Sequence, residues 1–385
     1  MNRKKIAVIF GTRPDTIKMA PIILDLQNDP KHFEALTIAT AQHRQMLDQV
    51  LDVFKIKPDY DLDIMAPKQT LASLTAKIIT GIDEILAKEN PDMVLVQGDT
   101  ATTCIGSLAA FYRQIPVGHV EAGLRTNDKA NPFPEEINRR ITSCITDLHF
   151  APTQTARQAL LKENIDPKTI FVTGNTVVDA LKYSVKDNYQ FTIPILNEIV
   201  KQKKKIVLIT MHRRENWGKP MEGAARAIKR LTQKFPDYAF VFPVHLNPIV
   251  REAITPILKD LPNVSLVEPL DYLDFVNIMA KSYLILTDSG GVQEEGPHFG
   301  IPIMVLRYVT ERPEAVDFGT VKLVGLDEEK IFKTALHLIE DPSEYKKMAN
   351  AVNPYGDGFS SERTIKIIKN YFGFSNEIIE EFKPK

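Results

Sequence analysis

Three carboxylates carry the plainest chemical signal in this 385-residue chain. Asp99 sits in Q-G-D-T, Glu121 in H-V-E-A-G-L-R and Glu135 in the proline-framed P-F-P-E-E-I-N-R. Any one of them alone reads as a helix cap or a surface charge. Three of them near the ends of successive apolar runs, with Arg125 and Arg139 close by, point to general acid/base work. Clustered carboxylates raise one another's pKa, which keeps one protonated as an acid.

A second set suits an anion. Asp288–Gly300 reads D-S-G-G-V-Q-E-E-G-P-H-F-G and follows the apolar run Tyr283–Thr287. Gly290 and Gly291 let the backbone approach a ligand, and the N–H groups of a helix start attract phosphate. Glu294 and Glu295 are expected in the first turn of that helix, where the dipole favours them. A carboxylate there also accepts from two sugar hydroxyls. This suggests phosphate on the Ser289-Gly290-Gly291 turn and ribose on a glutamate, the alternative being an ordinary strand-to-helix turn. His212, Arg213 and Arg312 are cations aimed at the same place. Arg13 and Lys18, in G-T-R-P-D-T-I-K, either face an anion too or are plain surface cations. That turn is neither G-x-G-x-x-G nor a Walker loop, so NAD binding and NTP hydrolysis are unsupported. His212 and His245 are widely spaced and lack paired ligands, which argues against a metal.

These residues need a scaffold that brings loop ends together. The strand candidates of the first half are Ile6–Phe10, Leu36–Thr40, Met93–Val96, Pro116–Val120, Leu148–Ala151 and Ile170–Thr173. Those of the second half are Ile206–Met211, Ala239–Val244, Val264–Val267, Tyr283–Thr287, Pro302–Leu306 and Val321–Val324. Helical spacing separates them, as in Leu71, Leu74, Ile78, Ile82 and Ile85. Continuous apolar strands between amphipathic helices predict parallel sheets covered on both faces. Ligands of such sheets bind at the carboxyl ends of the strands, where the motifs above lie. The expected fold is α/β, with two Rossmann-like doubly wound domains facing a cleft. Its domains are residues 1–185 and 186–360, with a link at Val185–Lys205, and 361–385 form a terminal helix. Asp341-Pro342-Ser343-Glu344 marks a further helix start.

The bulk numbers agree with that division, because single cores stop growing near ~250–300 residues. With 48 basic and 49 acidic residues intermixed, a nucleic-acid or polybasic membrane partner is not expected. Cys104 and Cys144 lack metal or redox spacing and read as buried thiols in a reducing compartment. The apolar run after M-N-R-K-K is too short for a signal-peptide core, and no stretch nears the ~18 apolar residues of a membrane span. The expectation is a cytoplasmic protein.

The ordered motifs G-T-R-P-D-x-I-K, Q-G-D-T, H-V-E-A-G-L-R-T, P-F-P-E-E-x-N-R, V-T-G-N-T-V-V-D, H-R-R-E-N, P-V-H-x-N-P, D-S-G-G-V-Q-E-E-G-P and T-E-R-P-E run from about Lys5 to Arg363. Together they resemble the bacterial non-hydrolysing UDP-N-acetylglucosamine 2-epimerases. The resemblance implies a glycosyltransferase-B-like fold with the UDP-sugar in the cleft and the last helix packed back on the first domain. It implies catalytic roles for Asp99, Glu121, Glu135 and His212. It implies substrate contacts at Arg13, Lys18, Arg139, Arg213, His245, Ser289, Gly290, Gly291, Glu295 and Arg312. A second, regulatory substrate site would involve Gln42, Gln45 and Lys68, the last standing where related members carry arginine. Asp15 replaces the usual glutamate, and Tyr308-Val309 the usual Asp-Thr. The implied reaction needs no cofactor. It converts UDP-N-acetylglucosamine to UDP-N-acetylmannosamine through 2-acetamidoglucal and UDP, in a homodimer that serves cell-surface polysaccharide synthesis. A hydrolysing epimerase that releases free N-acetylmannosamine, or an inactive UDP-sugar sensor, are the alternatives.

Overall fold

A run such as Ile6-Ala7-Val8-Ile9-Phe10 is apolar on both faces, so as a strand it must be covered on both sides. The computed structural model, which describes residues 2–41, 44–66 and 69–384 (backbone only at 44–46), shows it so covered. The chain forms two compact units, Met1–Tyr183 with Tyr355–Lys383, and Ser184–Pro354.

The first unit holds β1 (Lys4–Phe10), β2 (Phe33–Ala39), β3 (Tyr60–Asp61), β4 (Met93–Gln97), β5 (Val117–Val120), β6 (Leu148–Ala151) and β7 (Ile170–Val172). They pair in parallel in the order β3-β2-β1-β4-β5-β6-β7. The second unit holds β8 (Ile206–Thr210), β9 (Ala239–Pro243), β10 (Val264–Val267), β11 (Ser282–Thr287), β12 (Ile303–Val305) and β13 (Val321–Leu323). Its parallel order is β10-β9-β8-β11-β12-β13. Both orders reverse direction beside their first strand, the doubly wound pattern whose switch point favours a ligand site. In each unit Ile, Val and Leu of the strands pack against the helices. Ile78, Ile82 and Ile85 of helix Leu71–Glu89 cover the first sheet, and Met221, Ile228 and Leu231 of helix Lys219–Lys234 the second.

Four details depart from the sequence reading. β3 was not expected, since Tyr60 and Asp61 lie in a short polar stretch without strand periodicity. Within Val185–Lys205 a helix spans Pro194–Lys201, with proline at its first position and Leu196 and Ile199 buried. Cys104 is buried but Cys144 is exposed, on the outward side of helix Glu135–Ile145. Glu294 and Glu295 close the helix Gly290–Glu295 rather than open it, because that helix has only six residues.

The last helix, Ser360–Tyr371, belongs to the first unit. Ser361 donates to Asp25 on helix Arg13–Gln27 at 2.6 Å, and Lys369 pairs with Asp29, just past the end of that helix, at 2.6 Å. Beyond it the Phe382 N–H reaches the carbonyl of Val172 on edge strand β7 at 2.8 Å, and Glu381 pairs with Arg157 at 2.7 Å. Among the described residues no helix is long and apolar enough to cross a membrane.

Candidate active site

In the first unit each functional motif follows a strand. After β1 the Gly11-Thr12 turn is held by Asp15, whose carboxylate accepts from Gly11 N, Thr12 N, Thr12 Oγ1 and Thr16 N at 2.6–3.0 Å. This is a capping box made with the shorter acid. Burial pushes the Asp15 pKa up to about 6 despite these donors. The turn starts the helix that carries Arg13 and Lys18. Arg13 is half-buried and pairs with no described residue.

β4 ends in Gln97-Gly98-Asp99, where Gly98 has φ 72°. His119 on β5 approaches the Gly98 carbonyl through Nε2 at 2.7 Å. Burial depresses the His119 pKa to about 3, so the ring is neutral and Nε2 donates. Arg139 contacts one Asp99 oxygen through Nε at 2.9 Å and Nη2 at 2.6 Å, and Asn138 donates to the Asp99 carbonyl at 2.8 Å.

Just past β5, Glu121 is buried and has a left-handed backbone with φ 63°, a conformation that costs a non-glycine residue energy. Its Oε2 accepts from Lys18 Nζ, from Gln97 Nε2 at 2.9 Å and from Asn175 Nδ2 at 3.2 Å. Glu135 opens helix Glu135–Ile145, and its buried Oε2 has no hydrogen-bond partner among the described residues. The neighbouring Glu136 accepts from Thr126 N at 3.0 Å, Asn127 N at 3.1 Å and Arg139 at 3.3 Å. Burial opposes the Glu136 charge, but these donors outweigh it and hold the carboxyl below its ordinary range. Arg125 turns away to Glu163, at 2.8 and 2.9 Å, and fixes the loop instead of joining the carboxylates.

The structure therefore pairs Lys18 with Glu121 and Arg139 with Asp99, while Glu135 bonds to neither acid. Such a set can hold acids ionised beside cations while one further carboxyl stays unengaged.

In the second unit the candidate residues for an anion lie at the ends of β8, β9, β11 and β12. Asp288, fully buried after β11, accepts from His212 N, Arg213 N and Asn216 Nδ2, each at 2.9 Å. The His212 ring lies 3.2 Å from Asp288 through Nδ1 and stacks on His245, with centroids 6.0 Å apart. Burial opposes the Asp288 charge, yet His212 and the two N–H groups outweigh it and hold its pKa low. Burial and then the His212 charge hold the His245 pKa low. A Cβ on Gly290 would lie 3.7 Å from the Arg213 guanidinium, and one on Gly291 3.6 Å from Glu295 Oε1. Arg213, Gly290, Gly291 and Glu295 are thus near neighbours. The Ser289 N–H is taken by Thr287 Oγ1 at 2.9 Å. Arg312 turns Nε onto buried Glu294.

Among the described residues no group of His, Cys, Asp and Glu is placed to hold a metal ion. Gln42 and Lys68 lie outside the described residues, as does the Gln45 side chain. Gln97, Asn175, Glu136 and Asp288 carry no site role in the sequence reading. Each is a buried polar group within or beside a quoted motif, and that burial is a tertiary property.

The family model for UDP-N-acetylglucosamine 2-epimerase matches residues 25–369. A Bacillus subtilis UDP-N-acetylglucosamine 2-epimerase is 54% identical over 385 residues, covering 100% of both chains. A crystal structure of the Neisseria meningitidis UDP-GlcNAc 2-epimerase bound to UDP-GlcNAc is 49% identical, with TM-score 0.85, covering 95% of this chain and 100% of that one. The Methanocaldococcus jannaschii enzyme, in complex with UDP-GlcNAc and UDP, is 35% identical, with TM-score 0.77, covering 95% and 99%.

Proposed function

This chain belongs to the UDP-N-acetylglucosamine 2-epimerase family, and from that premise we propose that it inverts C2 of UDP-N-acetylglucosamine without hydrolysis. The observation that carries the reading is the pairing of Lys18 with Glu121 and Arg139 with Asp99 at adjacent strand ends, beside unengaged Glu135.

The C2–H bond of a sugar is not acidic on its own. As the C1–O bond breaks, its electron pair leaves with UDP, and the positive charge growing at C1 acidifies C2–H. A carboxylate takes that proton and the C1=C2 bond of 2-acetamidoglucal forms. Protonation from the opposite face of C2 and attack of a UDP oxygen on C1 then give UDP-N-acetylmannosamine. Electrons and protons balance, and no external oxidant is consumed. Two faces call for more than one proton-handling group, for which Asp99, Glu121 and Glu135 are the candidates. His212, Arg213 and the Ser289-Gly290-Gly291 turn are assigned to the diphosphate, where positive charge stabilises the leaving group. Glu295 is assigned to the ribose, and Arg13 and Lys18 to the phosphate and sugar. His245, stacked on His212, and Arg312, beside Glu294, support that anion site. The product would supply N-acetylmannosamine units for surface polysaccharide.

The test is incubation with UDP-N-acetylglucosamine in heavy water, followed by NMR. Deuterium at C2 of both recovered substrate and nucleotide-linked product is expected. Free N-acetylmannosamine would instead indicate hydrolysis, and turnover without solvent hydrogen would overturn the elimination route.

A further inference from the structure

V-T-G-N-T-V-V-D is the one quoted motif to which the sequence reading gives no chemistry. In the structure it follows β7, and Asn175 performs three tasks there. Its N–H donates to the Tyr355 carbonyl at 2.6 Å, where the chain returns to the first unit. Its Oδ1 accepts from Val177 N at 3.0 Å, capping helix Thr176–Ser184. Its Nδ2 donates to Glu121 Oε2 at 3.2 Å. Asn175 is 3% exposed, so this last bond lies where water competes little. The turn is tightly set, since a Cβ on Gly174 (φ 87°) would meet Ser360 Oγ at 2.6 Å.

We infer that Asn175 is a positioning residue for Glu121, holding one carboxylate oxygen in its ionised, acceptor-only form and aiming the group for proton abstraction. The inference rests on the proposed role of Glu121. The same oxygen takes Lys18 Nζ and Gln97 Nε2, so a residue in a costly left-handed conformation is anchored from three separate segments. Donors to a charged form favour that form. The other charges at this edge are Asp99 with Arg139, Glu135, and Arg13 on the Lys18 helix, and His119 is neutral.

Asn175→Asp separates the two side-chain tasks. An aspartate still caps the helix but sets a carboxylate against Glu121 where the amide donor stood. The acid limb of the kcat/KM profile should move up by about one pH unit or more. At pH 7 kcat should fall at least tenfold with KM little changed. Asn175→Ser, which also caps, should move the limb the same way by less. Independently of turnover, the ¹³Cδ signal of Glu121, assigned with Glu121→Gln, should titrate at higher pH in both variants. Titration of Glu121 at the wild-type pH in both would overturn the inference and reduce Asn175 to a helix cap. If the wild type incorporates no deuterium at C2, the reaction proposed above fails, while the ¹³C titration still decides this point.

Discussion

Arg139 brings two N–H groups to a single oxygen of Asp99, Nε at 2.9 Å and Nη2 at 2.6 Å. The other Asp99 oxygen has no hydrogen-bond donor among the described residues, and the side chain is 26% exposed. The arginine therefore sets the orientation of an acid that remains open on one side. Asp99→Asn should lower kcat by about 10²-fold or more. Arg139→Lys keeps the charge but loses the planar fork, and should lower kcat by on the order of ten- to a hundredfold. Steady-state rates and deuterium wash-in at C2 check both, and near-normal wash-in in Asp99→Asn would remove it from the proton-handling set.

Glu135 offers a different signature. Its buried Oε2 lacks a hydrogen-bond partner among the described residues, so the fold draws little from that oxygen. Glu135→Gln should leave the unfolding midpoint within the range of a neutral substitution, about 0.5 kcal/mol. Its rate should nevertheless fall about 10²-fold. Loss of stability in step with loss of rate would mark Glu135 as structural.

The strands are legible in the sequence for one reason: a parallel strand covered on both faces is apolar throughout, as in Met93–Val96 and Ile206–Ile209. That Asp99 and Glu121 follow β4 and β5 is legible from the same runs. Their partners are not. Lys18 lies 103 residues from Glu121 and Asn175 lies 54 residues from it, so only the folded sheet brings them together. Asp288 likewise reads as a strand end, yet it organises the His212-Arg213 turn 76 and 75 residues away. The sequence places ribose on one glutamate of Glu294-Glu295 and puts both in the first turn, because the helix bounds are poorly marked in G-G-V-Q-E-E. In the six-residue helix only Glu295 lies beside Gly291, while Glu294 is buried under Arg312.

That buried pair makes a stability prediction. Glu294 is 3% and Arg312 15% exposed in their side chains. Truncating Glu294 takes away the nearest carboxylate of Arg312 and leaves Glu311, 3.9 Å away, so the cost should approach that of breaking a buried pair, about 3–5 kcal/mol. Glu294→Ala should lower the urea midpoint accordingly. The joint change Glu294→Met with Arg312→Met should recover a large part of the loss. Equal midpoints for Glu294→Ala and the wild type would show that the pair contributes nothing.

Asp179 predicts the pH dependence of stability. It lies on helix Thr176–Ser184 and is 4% exposed, and its Oδ1 accepts from Ser361 N at 2.8 Å at the start of the last helix. Burial pushes its pKa up to about 6, against the opposing effect of the Ser360 and Ser361 donors and Lys182. In the unfolded chain an aspartate titrates near its ordinary value of about 3.9. Between these values the folded protein holds a proton that the unfolded chain has released. Stability from this group is therefore fully present below about pH 4, falls as pH rises, and is lost above about pH 6. Asp179→Asn keeps an acceptor for Ser361 and removes the titration. The variant should match the wild type near pH 4 and exceed it by up to about 3 kcal/mol at pH 8, from a shift near two units. Chemical unfolding of both proteins from pH 4 to 8 measures the difference directly, cancelling other groups such as Asp15 that titrate in the same window. A difference that stays flat across that range would show that Asp179 is ionised in the folded protein throughout.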